Sequence, residues 1–155
     1  MAKKSNASSS VFYPPVSFYF KVEFSGIKNS TDSSFQEVSG MEASIKTEDI
    51  VEGGENRFTY KVPVSTDYSN LVLKRGLVAA KSDLITWVKT ILGSDFSARI
   101  TTKKITVKLL DEKGNPLRQW DFFEAYPVKW SVSNFNAENN EIAIESLEFA
   151  YQYFK

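Results

Sequence analysis

Leu71 to Gly93 reads L-V-L-K-R-G-L-V-A-A-K-S-D-L-I-T-W-V-K-T-I-L-G. Two periodicities lie side by side in it. Leu71 to Leu73 is a short apolar run that ends in Lys74 and Arg75, with Gly76 allowing a bend. From Ser82 onward the apolar residues recur at helical spacing. Leu84, Val88 and Ile91 share one face, with Ile85 and Leu92 on its flanks. Ser82 suits an N-cap, because its hydroxyl can accept from an otherwise unpaired N–H of the first turn, and Asp83 sits at the positive end of the dipole. Gly93 stands where a left-handed stop is expected. The spacing predicts a helix over 82–92. A helix of about eleven residues is marginal alone, so it needs a sheet to pack on.

That sheet is legible on both sides. Val16 to Ser25 alternates strictly, with Val16, Phe18, Phe20, Val22 and Phe24 on one face and Ser17, Tyr19, Lys21, Glu23 and Ser25 on the other. Pro14 and Pro15 hold its approach extended. Phe35 to Val38 is a short second strand, stopped at Gly40. Downstream, Ile105, Val107 and Leu109 alternate, D-E-K-G-N-P at 111–116 makes a turn, and Leu117 to Phe123 returns. Val128, Trp130 and Val132 mark a further strand, followed by a polar loop at 133–140. In the last segment Ile142 and Ile144 point one way, and Leu147, Phe149, Tyr151 and Tyr153 the other. That slip of phase near Glu145 and Ser146 predicts a β-bulge. The expected fold class is mainly β, a barrel or sandwich of about eight antiparallel strands with one α-helix packed against it. Residues 13–155 read as one domain, and the small polar residues 1–12 as a flexible N-terminal arm.

Residues 41–56 break the pattern. Ile45, Ile50 and Val51 are the large aliphatics there, while Glu42, Glu48, Asp49, Glu52 and Glu55 outweigh Lys46. Gly53-Gly54 signals a turn, and Arg57 to Val62, with Phe58, Tyr60 and Val62 on one face, returns from it. Pro63 to Asn70 reads as a loop. The expectation is an extended hairpin with too little apolar surface for the core. It is either solvated or packed on another chain, since an unpaired strand is a template for one. The residues alone leave both open.

Composition narrows function by exclusion. Nineteen basic and nineteen acidic residues cancel in a chain of 155 residues that is 42% hydrophobic and 25% charged. Zero net charge argues against a general nucleic-acid or membrane-surface binder and tolerates self-association. With no cysteine and no histidine, disulfides, thiolate or imidazole metal sites and Ser-His-Asp triads are out of reach. The sequence carries neither a secretory signal nor a stretch fit to span a membrane, so synthesis in the cytoplasm is expected. No phosphate-binding glycine loop or nucleophile elbow is present. Glu48, Asp49, Glu52 and Glu55 lack the alternating order of a calcium cage. Trp87, Trp120 and Trp130 read as core before they read as a binding cleft. No catalytic residue, cofactor or metal site is assigned, and the chain is read as no enzyme.

One pattern remains. Acidic residues gather in 42–55 and 138–148, basic ones in 74–81 and 99–108. Segregated charge of this kind can complement itself between copies. The expected inter-subunit residues are therefore Ile45, Lys46, Glu48, Asp49, Ile50, Glu52 and Glu55 on the hairpin side, with Lys74, Arg75, Lys103 and Lys104 opposite.

Six blocks taken in order carry a resemblance. They are Y-P-P-V-S-F-Y-F-K-V-E-F (13–24), F-Q-E-V-S-G (35–40), E-G-G-E-N (52–56), N-L-V-L-K-R-G-L (70–77), A-Y-P-V-K-W (125–130) and E-I-A-I-E-S-L-E (141–148). Together they resemble the tail-tube proteins of contractile phage tails and phage-tail-like injection systems, related in fold to the type VI secretion tube protein. Pro63 is followed by V-S-T where family members often carry a glycine. The resemblance implies hexameric rings stacked into a hollow tube, with a sheath protein and baseplate or tube-initiator proteins as partners. It also implies cargo in the lumen: a protein effector, a tape-measure protein or DNA. It implies that the 43–57 hairpin reaches a neighbouring subunit, in a phage tail or in an injection particle, released outside the cell in some systems. The alternatives are a baseplate-proximal tube-initiator paralogue and, from another class, a monomeric small-ligand-binding β-barrel.

Overall fold

A computed structural model describes residues 19–28, 34–54, 57–77, 81–97, 99–134 and 141–155. The elements are β1 (Tyr19–Phe24), β2 (Glu37–Ser39), β3 (Ala43–Ile50), β4 (Tyr60–Tyr68), β5 (Leu71–Gly76), α1 (Asp83–Leu92), β6 (Lys103–Leu110), β7 (Pro116–Val132), β8 (Ile144–Ala150) and β9 (Tyr153–Phe154). The expected arm at 1–12, the first residues of the 16–25 strand, Glu55 and most of the 133–140 loop lie outside the described residues.

The 17-residue β7 ties the sheet together. Its first half pairs with β6 and, at 122–123, with β9; its second half pairs with β8. β6 continues to β1, and β8 continues to β5 and β2, every neighbour antiparallel. The sequence reads two strands here because the ladder is interrupted. Ala125 lies opposite Lys103 and Phe122 opposite Ile105, so two residues of β7 face Lys104 alone. Glu124 takes φ 53° at this point. An extra residue of this kind bends a strand and increases its twist, which carries β7 from one half of the sheet into the other. The result is mainly β with one helix, as expected. The sheet is not a closed barrel: among the described residues its order ends at β1 on one side and β2 on the other.

The inner face is filled with carbon. Val22, Phe24, Leu71, Leu73, Ile105, Val107, Phe122, Ala125, Leu147 and Phe149 meet Leu84 and Val88 of α1. Trp87 stacks on Phe149 at 5.9 Å between ring centroids, and Phe24 lies 5.8 Å from the same ring. α1 starts as predicted, with the Ser82 hydroxyl accepting from the Ile85 N–H at 3.2 Å. It does not end as predicted. Gly93 has φ −96°, and the left-handed residues come later, at Asp95 (φ 46°) and Phe96 (φ 58°).

Two further expectations are corrected. No bulge occurs at Glu145 and Ser146, since β8 runs in unbroken register along β5 from Ile144 opposite Gly76 to Phe149 opposite Leu71. The apolar phase slips because an inward position is held by a carboxylate, Glu145. Its Oε2 accepts from Arg75 Nε at 2.8 Å and its Oε1 from Trp130 Nε1 at 2.8 Å. Arg75 in turn donates from Nη2 to the Ser82 hydroxyl at 3.4 Å, and its guanidinium lies 5.3 Å from the Phe35 ring centroid. Arg75 is therefore buried at 2% exposure rather than emerging at the end of its strand. Nor is 63–70 a loop. β4 runs through Pro63, which sits opposite Thr47 beside the register shift at Lys46 and Thr47, an irregularity of the kind that tolerates a missing N–H.

Two substitutions separate satisfied from unsatisfied burial. Glu145→Gln keeps the shape but removes the buried negative charge that faces Arg75 at 2.8 Å, and stability should fall by about 3 kcal/mol. The Tyr151 hydroxyl is buried with no hydrogen-bond partner among the described residues, so Tyr151→Phe should leave stability unchanged or raise it by up to ~1 kcal/mol. Urea-unfolding midpoints of both variants read the difference.

Candidate assembly interface

β3 and β4 pair with each other and form a ribbon separate from the main sheet. It grows out of the β2–β5 pair. Gly40 makes the bend, with φ +81° and a position where a Cβ would fall 1.9 Å from the Asn70 carbonyl oxygen, so no other residue fits. At the root, Ser69 N donates to Glu42 O at 3.2 Å, and the Tyr68 ring packs 5.9 Å from Tyr151 and 5.7 Å from Phe154. Beyond the root every residue of both arms is exposed.

The register sorts the side chains. Ile45 lies opposite Thr66, Glu48 opposite Val62 and Ile50 opposite Tyr60. Residues facing one another across a ladder share a face, and alternate residues along a strand do too. The face that holds Ile50 therefore also holds Tyr60, Val62 and Val64, with the Phe58 ring edge-on to Tyr60 at 5.1 Å, and it carries Glu48 and Lys46 among them. The other face carries Ile45, Thr47 and Asp49 with Lys61 and Pro63, and Lys46 pairs with Asp67 at 3.3 Å. Glu48, Asp49 and Glu52 make the free end acidic around the Gly53-Gly54 turn. The exposed apolar residues of the ribbon cover no core of their own chain, and a lone two-stranded hairpin is marginal in water.

The basic residues expected opposite it are engaged within this chain. Lys74 pairs with Glu37 at 2.9 Å, and Arg75 is buried against Glu145. Lys103 donates to the Ser25 carbonyl at 3.1 Å and lies over the Trp87 ring. Lys104 pairs with Asp121 at 3.1 Å and lies over Phe123. The structure thus brings Ile45, Lys46, Glu48, Asp49, Ile50 and Glu52 together on one projection and spreads the four cations over the body.

Sequence reading missed a second surface. A groove of about 280 Å³ runs between the end of α1 and β7. Leu92, Phe96, Ile100 and Val128 expose their side chains along it, Phe96 to 85%. Its far wall is the tight turn 94–97, closed by Ser97 N donating to Ser94 O at 2.9 Å. Two successive left-handed residues make that turn, a conformation that Asn-Gly usually supplies and that is strained for phenylalanine. Nothing in the periodicity flags it, because the apolar residues come from three separate segments.

The outer face of the β1–β6–β7 sheet is a charge ladder. Lys108 donates to Glu23 at 2.7 Å and Lys21 approaches it at 3.1 Å; the Lys108 bond, against a smaller desolvation, holds the Glu23 carboxyl below its ordinary range. Partial burial pushes Asp121 up, but hydrogen bonds from Thr106, Lys104 and Gln119 together outweigh it and leave its carboxyl low. Among the described residues no three metal-ligating side chains gather, and no helix is long and apolar enough to cross a membrane.

Residues 16–155 match the family of the T4-like virus tail tube protein gp19. The chain belongs to that family. A chain in the 6-fold symmetrised cryo-electron microscopy structure of the anti-feeding prophage baseplate is 28% identical, over 93% of this chain and 95% of its own, at TM-score 0.77. A chain of the sheath-tube complex of the extracellular contractile injection system PVC, in the extended state, is 24% identical over 99% and 97%, also at 0.77. A type six secretion system protein shares the fold at TM-score 0.58, with 11% identity over 89% and 82%. No curated protein matches the chain.

Both lowered carboxyls fix the sign of the acid response. As pH falls through the ordinary carboxylate range near 4, the unfolded chain takes up protons first. Stability present above that range is lost as pH drops through the folded values. Urea midpoints should be flat from pH 7 to 5 and fall below about 4, and Asp121→Asn should make that fall shallower.

Proposed function

We propose that this protein is the repeating structural subunit of the inner tube of a contractile injection machine. Six copies close a ring, rings stack into a hollow tube, and a sheath protein surrounds it. Contraction of the sheath drives the tube through a target envelope, and cargo (a protein effector, a tape-measure protein or DNA) occupies the lumen. Assembly takes place in the bacterial cytoplasm, and the finished particle is a phage tail or an injector released outside the cell. The work is mechanical and needs no catalytic residue. Family membership supports the tube, and the 28% identical chain comes from a 6-fold symmetrised particle. The PVC relative belongs to a sheath-tube complex.

The observation that carries the reading is the β3–β4 ribbon. Its arms expose Ile45 and Val64 to more than 60% and belong to no core of this chain. A neighbour that covers it removes apolar surface worth roughly 25 cal/mol per Å² from water. Because the anti-feeding prophage relative lies in a baseplate structure, a baseplate-proximal tube initiator is the second reading. The small-ligand barrel is set aside because the inside of the sheet is packed by Phe24, Phe122, Leu147 and Phe149.

At high concentration the purified protein should sediment as rings or longer polymers and show hollow rings by negative-stain microscopy. Replacing Ile45 and Ile50 with Asp should leave circular dichroism and the unfolding midpoint unchanged while reducing assembly at least tenfold. A wild-type protein that stays monomeric at every concentration, alone and with baseplate proteins, would count against the tube.

A further inference from the structure

The inside of the sheet is filled differently at its two ends. At the Phe24 end of β1, Trp87 of α1 lies 6.4 Å from the Phe24 ring and closes the space between the strands. No residue of α1 lines the space at the Phe20 end. There Phe20, Val107, Leu109 and Trp120, with Val38 and Met41 on the β2 side, enclose a hollow of about 150 Å³. Every one of these side chains is apolar. Arg118 stands at the rim, opposite Leu109 in the β6–β7 ladder and on the same side of β7 as Trp120. Its guanidinium lies 5.2 Å from the Trp120 ring centroid, and no carboxylate pairs with it among the described residues. We propose that this hollow binds a small apolar monocarboxylate, its ring or short chain inside and its carboxylate on Arg118. The site stands whether or not the subunit builds a tube.

Size, polarity and charge each narrow the ligand. A dry apolar cavity of about 150 Å³ holds one benzene ring. The rest of the interior is packed by Phe24, Phe122, Leu147 and Phe149, so the site takes a single ring and excludes chains of lipid length. A ligand with polar groups along its body would lose water there and gain no hydrogen bond from the lining in return. The rim asks for an anion. A guanidinium offers a planar fork of donors that a carboxylate meets with both oxygens. The carboxylates next to the lining residues of the β2 side are engaged elsewhere, Glu37 with Lys74 at 2.9 Å and Glu42 with the Ser69 hydroxyl at 3.4 Å. Arg118 is exposed, so solvent screens its attraction, and the charge should contribute roughly a fivefold gain in affinity. A ligand this small should bind with a dissociation constant on the order of millimolar.

Ligand-observed fluorine NMR of para-fluorobenzoate tests the site on the whole chain, in subunits and in polymers alike. The expected result is saturable line broadening that benzoate and hexanoate compete away. The uncharged para-fluorobenzyl alcohol, with the same ring, should bind roughly fivefold more weakly. Arg118→Gln should weaken the acid by that factor and leave the alcohol unchanged. Val38→Phe and, separately, Met41→Phe place a ring in the hollow and should abolish binding of both probes while circular dichroism stays that of the wild type. No broadening up to about 20 mM para-fluorobenzoate would show the hollow filled by another part of the chain or by a second copy, and would overturn the site. Equal binding of acid and alcohol that Arg118→Gln does not change would overturn it too, as would undiminished binding in both folded phenylalanine variants.

Discussion

The buried pair of Arg75 and Glu145 joins four pieces of this molecule through side chains. Arg75 comes from β5, Glu145 from β8, Trp130 from β7, and Ser82 from the cap of α1. Removing two charges from water costs several kcal/mol per ion, and attraction offsets that only where geometry is good and the remaining hydrogen bonds are made. Here both carboxylate oxygens are engaged at 2.8 Å. The pair is thus a weak source of net stability but a strong constraint on arrangement. If β5 or β8 slipped by one residue, a charge would be left unpaired inside the sheet. The same arginine touches the hydroxyl that starts α1, so helix position and strand register are set together.

That fixed body leaves the ribbon as the part under a different rule. The body buries its apolar residues on one side of a bent sheet under one helix. In the ribbon, β4 has the alternation of a half-buried strand at Tyr60, Val62 and Val64 and no layer of its own chain to bury it. Gly40, locked against Asn70, prevents the ribbon from simply continuing the plane of β2 and β5. A chain whose sheet is complete without its longest hairpin has that hairpin available for another molecule. Zero net charge removes the long-range repulsion that would oppose such contact. The cations on the body are largely engaged in pairs of their own, so in the proposed assembly the exposed apolar residues of the ribbon carry the contact.

Much of this was legible in the sequence because it rests on local rules. The Ser82 cap, the Leu84–Val88 stripe and the alternation through Val22 and Phe24 depend on spacing alone, and the tail-tube resemblance rests on blocks that, from residue 16 onward, the family match covers. The misreadings share one cause, which is long-range context. A glutamate at an inward position looks like a slip of phase until an arginine 70 residues away is placed beside it. Pro63 ends a strand in sequence logic, yet sits harmlessly where the ladder is already irregular. The bend at Glu124 makes one long strand read as two. Gly93 has the composition of a left-handed stop, but that conformation falls on Asp95 and Phe96. The hairpin was visible from its composition, and the apolar groove beside α1 was not, because Leu92, Phe96, Ile100 and Val128 are brought together only by the fold.

The central claim is that the β3–β4 ribbon depends on a neighbouring copy for its burial. Amide hydrogen exchange, compared between dilute subunits and assembled material, reads this directly. The account predicts fast exchange at Ala43–Ile50 and Tyr60–Tyr68 in the subunit, with β5, β7 and β8 strongly protected. In the assembly the ribbon amides should slow by at least a hundredfold. Ribbon amides equally protected in both states would contradict it.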